Sequence, residues 1–491
     1  MALKQYFAAF VFGLIGIFAF APFSIKPLIL VSYVYLIRSI LFENNYTFKK
    51  LISWAIGHWG FGMSWLIVSV YYYGETSILI SLIIFILLTL FLTLCFGLPL
   101  IALKYRLFSG KTKSKHLKIF SISSLLILFE LTRYYLLNGV PWLIPGTVFL
   151  DTPLHAIYSL VGVTGGSFIV YLIATSIAIF WKHRYKIFFG SLVLFIPIIE
   201  KNESTEFDLN VSIIQPSSDP FQKYNLGYKS YIENNILDLI KDTSAESQMI
   251  VLPEAELPYS LNSNDFSQFI NKINKINKKD KEIIMGVWNI YDKTLFNSLI
   301  NVNTNEIYNK RHLVPFGEYI PFTSSLRGLI DFFDMPMSNV SHGSSNQNNI
   351  RISSIDGINF SPLICFDVAF GNTVRKSNIS SNFMINVSND TWFGKSMGPY
   401  QHLAITRIRA IENNKWIIRA TNDGISAIIT NNGTIVDKID KNISGVINSG
   451  INFTYKRSLY NIFGHYIPFI LALTIVLTSF IIDLCSKRKK Y

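Results

Sequence analysis

Three positions in the polar part of this sequence carry residue types that could perform covalent chemistry. Glu254 ends the stretch Val251-Leu252-Pro253-Glu254, just after a predicted buried strand, where partial loss of solvent brings the pKa of a carboxylate nearer to the working range of a general base. Cys365 follows a second short apolar run and would lie at a helix start, where the dipole favours the nucleophilic thiolate. Lys310 lies between them in the sequence. Taken singly, each has an ordinary alternative: a carboxylate that faces water, a core cysteine and a surface lysine.

The region that contains these positions alternates predicted strands with predicted helices. Apolar and alternating runs predict strands at Leu209–Ile214, Met249–Leu252, Glu282–Val287, Ser298–Val302 and Phe383–Val387. Helical periodicity covers Tyr231–Ile240, Phe266–Ile276 and His402–Ile411, and Asn431-Asn432-Gly433 predicts a hairpin turn. The pattern therefore indicates a mixed α/β domain, and such domains present reactive groups at strand ends.

The composition excludes an ordinary soluble enzyme. Of the 491 residues, 50% are hydrophobic and 15% aromatic, which is too much apolar surface for one aqueous core. The net charge of +13 does not indicate nucleic-acid binding, because the basic residues gather beside apolar runs and not on one face. The three cysteines, Cys95, Cys365 and Cys485, do not indicate a disulfide framework, since two of them lie in or at the end of apolar runs.

Eight apolar runs approach the length that spans a bilayer, which is about 20 residues. They are Tyr6–Pro22, Pro27–Phe42, Leu51–Gly74, Ser77–Leu103, Ile119–Leu137, His155–Trp181, Ile187–Ile199 and Ile462–Leu484. With eight spans, the Lys- and Arg-rich loops at 49–50, 104–118, 182–186 and 487–490 all fall on one side. This asymmetry predicts cytoplasmic termini, a transmembrane bundle at 1–200, an extracytoplasmic catalytic domain at 201–458, and a last span with a basic tail at 459–491.

Three further stretches also permit predictions. Glu130 and Arg133 lie one helical turn apart inside the fifth span, where they predict an ion pair that stabilises the bundle. The stretch Asn138–Trp142 that follows breaks the helix and predicts an aromatic residue at the outer interface, at a candidate substrate entrance. The apolar-rich stretch Ser324–Met337 predicts either a packed helix or a mobile lid that dips toward lipid. No phosphate-binding loop, paired-cysteine motif or HExxH motif is present, so we expect no metal and no cofactor.

Longer motifs around the three positions resemble the nitrilase superfamily and, within it, the apolipoprotein N-acyltransferase family. The matching stretches are FAPF at Phe20–Phe23, PEAELP at Pro253–Pro258, HLVPFGEYIP at His312–Pro321, NDTWFG at Asn389–Gly394 and GPYQHL at Gly398–Leu403. The resemblance extends over essentially the whole chain, including the eight spans. It implies an eight-helix transmembrane bundle that carries an extracytoplasmic, nitrilase-like αββα sandwich.

The resemblance also implies roles for individual residues. Glu254 is the expected base, Lys310 the oxyanion partner and Cys365 the nucleophile. The supporting residues are Glu318 as the second active-site glutamate, Asn297 as the supporting asparagine, Phe366 and Asp367 beside the nucleophile, and Tyr224 and Trp392 as possible substrate contacts. Phe366, Asp367 and Tyr224 depart from the family pattern, which shows Tyr and Glu after the cysteine and Trp in place of Tyr224.

The implied function is transfer of an acyl chain from a membrane phospholipid to the N-terminal diacylglyceryl-cysteine amine of an apolipoprotein. The implied location is the bacterial inner membrane, with the catalytic domain in the periplasm, and we expect a monomer. Three alternatives stay open on the residues alone. They are a membrane-tethered nitrilase-type amidohydrolase, a Cys-His hydrolase that uses His312 or His402, and a transporter or non-catalytic scaffold.

Overall fold

The computed structural model describes residues 2–42, 47–73, 77–97, 114–136, 139–198, 206–225, 227–277, 281–315, 317–319 and 340–488. The predicted lid or helix at Ser324–Met337 and most of the basic loop at 104–118 lie outside these ranges. Within them the chain forms two compact units, one of residues 1–66, 79–199 and 463–491 and the other of residues 67–78 and 200–462.

Helices dominate both ends of the chain, and all twelve strands β1–β12 of the described residues lie between residues 209 and 451. The α-helices are Ala2–Ile15, Leu28–Leu41, Thr47–Ala55, Trp65–Ile67, Ile78–Leu92, Lys115–Tyr135, Ile157–Ile179, Arg184–Ser191, Tyr228–Lys241, Asn264–Ile276, Gly371–Ser377, Gly398–Asn413, Leu459–Phe463 and Tyr466–Arg488. The strands are β1 Leu209–Gln215, β2 Met249–Val251, β3 Glu282–Tyr291, β4 Thr294–Asn301, β5 Glu306–Asn309, β6 Ile350–Arg351, β7 Asn359–Ile364, β8 Phe383–Ser388, β9 Ile417–Thr421, β10 Ser426–Ile429, β11 Ile435–Ile439 and β12 Gly445–Ile451.

The first unit is helical, and small residues let two of its helices approach closely. A Cβ atom at Gly13 would lie 2.2 Å from the carbonyl oxygen of Trp54, and one at Gly57 would lie 2.3 Å from that of Phe10. Such contact between backbones is typical of helix pairs in membranes, where close packing replaces the hydrophobic effect. Trp54 then stacks on His58, with ring centroids 4.6 Å apart.

Several helices of this unit have the length and composition of membrane spans. Among the described residues, Ile78–Gly97 and Ile157–Ile179 are long and apolar enough to cross a bilayer. Thr47–Gly60 and Trp65–Tyr71 add a third candidate if this pair, bent by 63°, is one broken crossing. Shorter apolar helices lie at Leu3–Ala19, Leu28–Leu41 and Tyr466–Ile482. The count of eight spans stays a prediction.

Glu130 and Arg133 are both fully buried in the first unit, but they do not form the predicted direct ion pair. Glu130 Oε2 instead accepts a hydrogen bond from the Tyr171 hydroxyl at 2.8 Å. Arg133 donates to the carbonyl oxygen of Trp142, beyond the end of its own helix. The arginine therefore holds the segment that follows the helix, while its charge still lies near the buried carboxylate.

The second unit is built around two six-stranded sheets. The first has the order β12-β1-β2-β3-β4-β5 and the second the order β11-β10-β9-β8-β7-β6. The central strands β1, β2 and β3, and likewise β7, β8 and β9, are parallel. Apolar side chains from both sheets form one shared core, for example Val211 and Val251 of the first sheet and Ile385 and Ile418 of the second. This is sheet-on-sheet packing.

Helices cover the outer faces of both sheets. Tyr228–Lys241 and Asn264–Ile276 bury their apolar sides against the first sheet. Gly398–Asn413 lies on the second, where Arg419 of β9 donates to the Thr406 hydroxyl at 3.2 Å. The arrangement confirms the expected αββα sandwich, while its extracytoplasmic location stays a prediction.

The strands and helices predicted for this unit are all present, with shifted ends. The strand predicted to end at Val287 continues to Tyr291, and the helix predicted from His402 begins at Gly398. The predicted hairpin turn joins β10 to β11, and Gly433 has the positive φ of 82° that such a turn requires. The strands at 306–309, 350–351, 417–421 and 445–451 were not predicted.

A core substitution should test the sandwich. Ile385 is fully buried between the two sheets, so Ile385→Ala should lower the free energy of unfolding by about 2–5 kcal/mol through lost burial and a residual cavity. Ile379→Ala is the matched control, because that side chain is 50% exposed. Thermal unfolding of the detergent-solubilised protein measures both variants. Equal shifts in the two would contradict the assigned core.

Candidate active site

Glu254 is placed by a short turn at the end of β2. The chain leaves the sheet at Leu252, whose N–H still bonds to Ile284 of β3 at 2.9 Å. The turn then passes directly over Gly286, where a Cβ atom would lie 2.5 Å from the Cα atom of Glu254. Ala255 has a φ of 41°, a conformation that is strained for a residue with a side chain. Glu254 is thereby held inside the domain, and only 5% of it is exposed.

Lys310 joins two buried carboxylates in one cluster. Its backbone N–H bonds to the carbonyl oxygen of Asn297 at 2.8 Å as the chain leaves β5. Its Nζ atom then lies 3.0 Å from Glu254 Oε1 and 2.8 Å from Glu318 Oε1. Asn297 Nδ2 donates to the same two oxygens, at 2.6 Å and 3.0 Å. Because both partners are acceptors, the orientation of the Asn297 amide is fixed.

The charge of Lys310 is strongly stabilised by these contacts. Burial alone would lower the pKa of Lys310, but the carboxylates of Glu254 and Glu318 outweigh it and raise the pKa well above its usual value. The lysine therefore stays an ammonium ion at neutral pH. Two acids, one cation and one amide thus form a fixed, charged cluster inside the domain.

Cys365 follows β7 directly and begins a short 3-10 helix, as the sequence predicts. Its φ is 45°, again in the left-handed region. Burial raises the pKa of the thiol, the Glu254 carboxylate raises it further, and the Lys310 ammonium lowers it. The net direction is upward, so the expectation that the helix start favours the thiolate is wrong for this site. The Glu254 carboxylate and the Lys310 ammonium are thus near enough to the thiol for their charges to affect its pKa.

Asp367 connects the segment around Cys365 to the loop after β5. Its carboxylate accepts hydrogen bonds from the backbone of His312 at 2.8 Å and of Ile364 at 3.2 Å, and from the Tyr308 hydroxyl at 3.1 Å. Burial raises the pKa of Asp367 to about 6, although these donors and Lys310 oppose the rise. The side chain therefore fixes the backbone on both sides of the site.

Phe366 and His312 belong to an aromatic group beside this carboxylate. The His312 ring stacks on Phe370 with centroids 3.8 Å apart, and Phe366 meets Phe370 edge-on at 5.1 Å. His312 Nε2 bonds to the Thr373 hydroxyl at 2.6 Å, and burial lowers the pKa of His312 to about 3. His312 is therefore neutral and directed toward Thr373.

His402 lies beside Cys365 in a buried polar network. Its Nδ1 atom is 2.9 Å from Asp390 Oδ1, and its Nε2 atom is 3.3 Å from the carbonyl oxygen of Cys365. Arg419 donates to the other oxygen of Asp390 at 2.6 Å. Both ring nitrogens of His402 thus contact groups other than the thiol.

Tyr224 and Trp392 have less direct connections to the cluster. Tyr224 is 51% exposed, and the Lys223 ammonium lies 5.7 Å from the centre of its ring. The carbonyl oxygen of Trp392 accepts a hydrogen bond from the Ser69 hydroxyl at 2.7 Å. Their assignment as substrate contacts stays a prediction.

One residue that the sequence prediction did not assign contacts Glu254 directly. The backbone N–H of Asn389 donates to Glu254 Oε2 at 2.7 Å, so the NDTWFG motif holds this carboxylate from the end of β8. The motif indicated that this segment matters, but a sequence motif does not show that its backbone contacts Glu254. Among the described residues, no group of three or more His, Cys, Asp or Glu side chains could hold a metal ion.

Comparisons with known proteins bear on both units. A family model described as carbon-nitrogen hydrolase matches residues 211–459, and one described as apolipoprotein N-acyltransferase N-terminal domain matches residues 12–176. An apolipoprotein N-acyltransferase of Haemophilus influenzae is 31% identical over 96% of this chain and 94% of its own length. One of Haemophilus ducreyi is 29% identical over 98% and 97%. A solved CN-hydrolase superfamily protein from Xanthomonas campestris covers 50% of this chain and 91% of its own, at 17% identity and a TM-score of 0.37.

Asp367 should make stability depend on pH in a defined window. Its pKa in the folded chain, about 6, lies above the ordinary value of 3.8. A group whose pKa is raised by folding contributes stability that is complete below the lower value and is lost as the pH rises through the higher one. The melting temperature of the wild type minus that of Asp367→Asn should therefore fall as the pH rises from 3.8 to about 6.

Thermal unfolding across this pH range provides the measurement. Asp356→Asn is the control for loss of one carboxylate, because the Asp356 side chain is exposed. Wild-type and Asp367→Asn curves that run parallel through the window would contradict the assigned titration.

Proposed function

This chain belongs to the apolipoprotein N-acyltransferase family, and we propose that it moves an acyl chain from a membrane phospholipid to the N-terminal amine of a diacylglyceryl apolipoprotein through a thioester on Cys365. The contact that best supports this proposal is the buried cluster of Lys310 with Glu254 and Glu318, whose charges act on the Cys365 thiol. Together, this cluster and the thiol supply a base, a cation and a nucleophile, which are the groups that two-step acyl transfer needs.

In the first half-reaction Glu254 takes the proton of the Cys365 thiol, and the sulfur attacks the ester carbonyl carbon of the phospholipid. The oxyanion that forms is stabilised by the Lys310 ammonium. The carbon–oxygen bond to the glycerol then breaks, and the lysophospholipid leaves with the proton that Glu254 returns. The acyl chain remains on sulfur as a thioester.

The hydrogen bonds of Glu254 leave room for this proton. Oε1 accepts from both Asn297 and Lys310, whereas Oε2 accepts from the backbone N–H of Asn389. A carboxylate oxygen has two lone pairs, so one on Oε2 is available. We assign it as the site that receives the thiol proton.

In the second half-reaction the amine of the apolipoprotein attacks the thioester carbonyl. Glu254 takes one amine proton, the carbon–sulfur bond breaks, and the thiolate recovers its proton from Glu254. The product is an amide, and the enzyme returns to its starting state. For the product to be an amide, the amine must react with the acyl-enzyme faster than water does, so the site must exclude water.

The geometry gives less support to a Cys-His hydrolase. His312 bonds to Thr373 and stacks on Phe370, and its pKa is lowered to about 3 by burial. His402 lies between Asp390 and the carbonyl oxygen of Cys365. A general base must reach the proton that it removes, and Glu254 is the better candidate.

Enzyme given phospholipid alone should accumulate the acyl group on Cys365, because deacylation needs the amine. Mass spectrometry of the Cys365 peptide should show an acyl-sized mass increase that hydroxylamine removes. Cys365→Ser should not label, since an alcohol is much harder to deprotonate than a thiol. Lys310→Ala should slow labelling by about a hundredfold or more through loss of an oxyanion donor.

Matched controls separate these effects from general damage. Cys485→Ser, at an exposed cysteine, and His312→Ala should both label normally. An adduct that forms in Glu254→Gln but is lost in a variant of His312 or His402 would favour the Cys-His hydrolase. Rapid release of free fatty acid, with no transfer to a lipopeptide amine, would favour the amidohydrolase-type reaction.

We also propose an eight-span topology with the catalytic domain outside the cytoplasm. The support is the one-sided distribution of Lys and Arg, for example at 182–186 and 487–490, together with the apolar helices of the first unit. This orientation brings the thiol to the same side of the membrane as exported lipoproteins.

Reporter fusions should test this orientation. An enzyme that is active only outside the cytoplasm should be active when fused after Asn202 and silent when fused at Ser114, because the two points lie on opposite sides in the proposed topology. Expression of both fusions, measured by immunoblot, is the control. The reverse pattern of activity would place the catalytic domain in the cytoplasm.

A further inference from the structure

A buried lysine outside the catalytic cluster holds the turn that carries Glu254. Lys223 is 4% exposed, and its Nζ atom donates a hydrogen bond to the carbonyl oxygen of Ala255. Ala255 is the residue with the strained φ of 41°, directly after the base. A residue in this region of φ and ψ persists only when its surroundings hold it there.

The neighbouring Glu256 gives this lysine a counter-charge. It is 1% exposed, and apart from the nearby Ser218 hydroxyl its carboxylate oxygens have no hydrogen-bond partner among the described residues. Burial raises the pKa of Glu256, whereas the charge of Lys223 and the Ser218 hydroxyl lower it. A buried carboxylate with so few hydrogen bonds is costly unless an opposite charge lies near. Lys223 is the cation near it.

We propose that Lys223 is a positioning residue for catalysis: it holds the carbonyl of Ala255 and so orients Glu254 toward the Cys365 thiol, while Glu256 compensates its buried charge. This inference rests on the proposed function of Glu254 as the base. Lys223 therefore has two separable effects. Charge compensation concerns stability, whereas the hydrogen bond to Ala255 concerns the rate of the chemical step.

Two hydrogen bonds hold the turn, one from Gly286 of β3 to Pro253 before Glu254 and one from Lys223 to Ala255 after it. The turn already lies against β3, and a Cβ atom at Gly286 would be 2.6 Å from the Ala255 nitrogen and 2.8 Å from the Pro253 carbonyl oxygen. The Gly286 N–H also donates to the Pro253 carbonyl oxygen at 3.1 Å, so β3 holds the turn on the side before Glu254. Lys223 supplies a directional bond, and without it the strained Ala255 can relax and carry Glu254 with it.

A double-mutant cycle separates the two effects. Lys223→Met and Glu256→Gln each leave one buried charge uncompensated, so each should lower the melting temperature. The double variant, Lys223→Met with Glu256→Gln, leaves neither charge and should regain much of that loss. It still lacks the bond to Ala255, whereas Glu256→Gln alone keeps it. These two variants therefore form the matched pair for the rate measurement.

The rate to measure is formation of the Cys365 thioester from phospholipid in a single turnover, as a function of phospholipid concentration. At saturation the double variant should be slower than Glu256→Gln by about tenfold to a hundredfold, as expected for a slightly misplaced catalytic group. The phospholipid concentration at half-saturation should stay the same, because Lys223 does not hold the lipid.

The outcomes are distinguishable. A double variant that recovers both stability and the rate of Glu256→Gln would overturn the positioning role. A change confined to the half-saturating concentration would also overturn it and would indicate an effect through the neighbouring Tyr224. If the wild-type enzyme forms no thioester at all, the proposed function itself fails.

Discussion

The structure of this site depends on one ammonium group that neutralises two buried carboxylates. Lys310 bonds to Glu254 and Glu318, and Asn297 donates to the same two oxygens. Removing one partner of a buried charged group typically costs about 3–5 kcal/mol. The ends of β2 and β5 and the side chain from β4 must therefore converge to within hydrogen-bonding distance. The parallel centre of the first sheet, with antiparallel strands beside it, provides this convergence.

The second constraint is backbone strain at Cys365 and at Ala255, the residue that follows Glu254. Ala255 and Cys365 have φ values of 41° and 45°, and such conformations cost about 1–3 kcal/mol each. A contact to the residue's own carbonyl oxygen helps to hold each strained conformation. Lys223 contacts the carbonyl oxygen of Ala255, and His402 contacts that of Cys365. The turn of Glu254 and the backbone of Cys365 are thus held by side chains that are distant in sequence and have no covalent role in the proposed mechanism.

This arrangement explains which features the sequence could predict. Strands such as Phe383–Ser388 are buried on both faces, so their apolar runs are visible in the sequence. The order of Glu254, Lys310 and Cys365 was likewise visible through the longer motifs around them. The contacts of Lys223 and His402 were not predictable, because they join segments 32 and 37 residues apart without a local pattern. The direction of the shift in the pKa of the Cys365 thiol was predicted wrongly, because the prediction considered the helix start and not the burial of this side chain.

The raised thiol pKa is compatible with catalysis because the proton moves within one charged cluster. When Cys365 gives its proton to Glu254 in the proposed mechanism, one negative charge moves from oxygen to sulfur and the total charge stays the same. Lys310 acts on both positions, so the buried site needs no new counter-ion at that moment. Glu254 is then neutral and attracts the ammonium less. Glu318, at 2.8 Å, keeps Lys310 in place through this step, which gives a physical reason for a second carboxylate in a site that needs only one base.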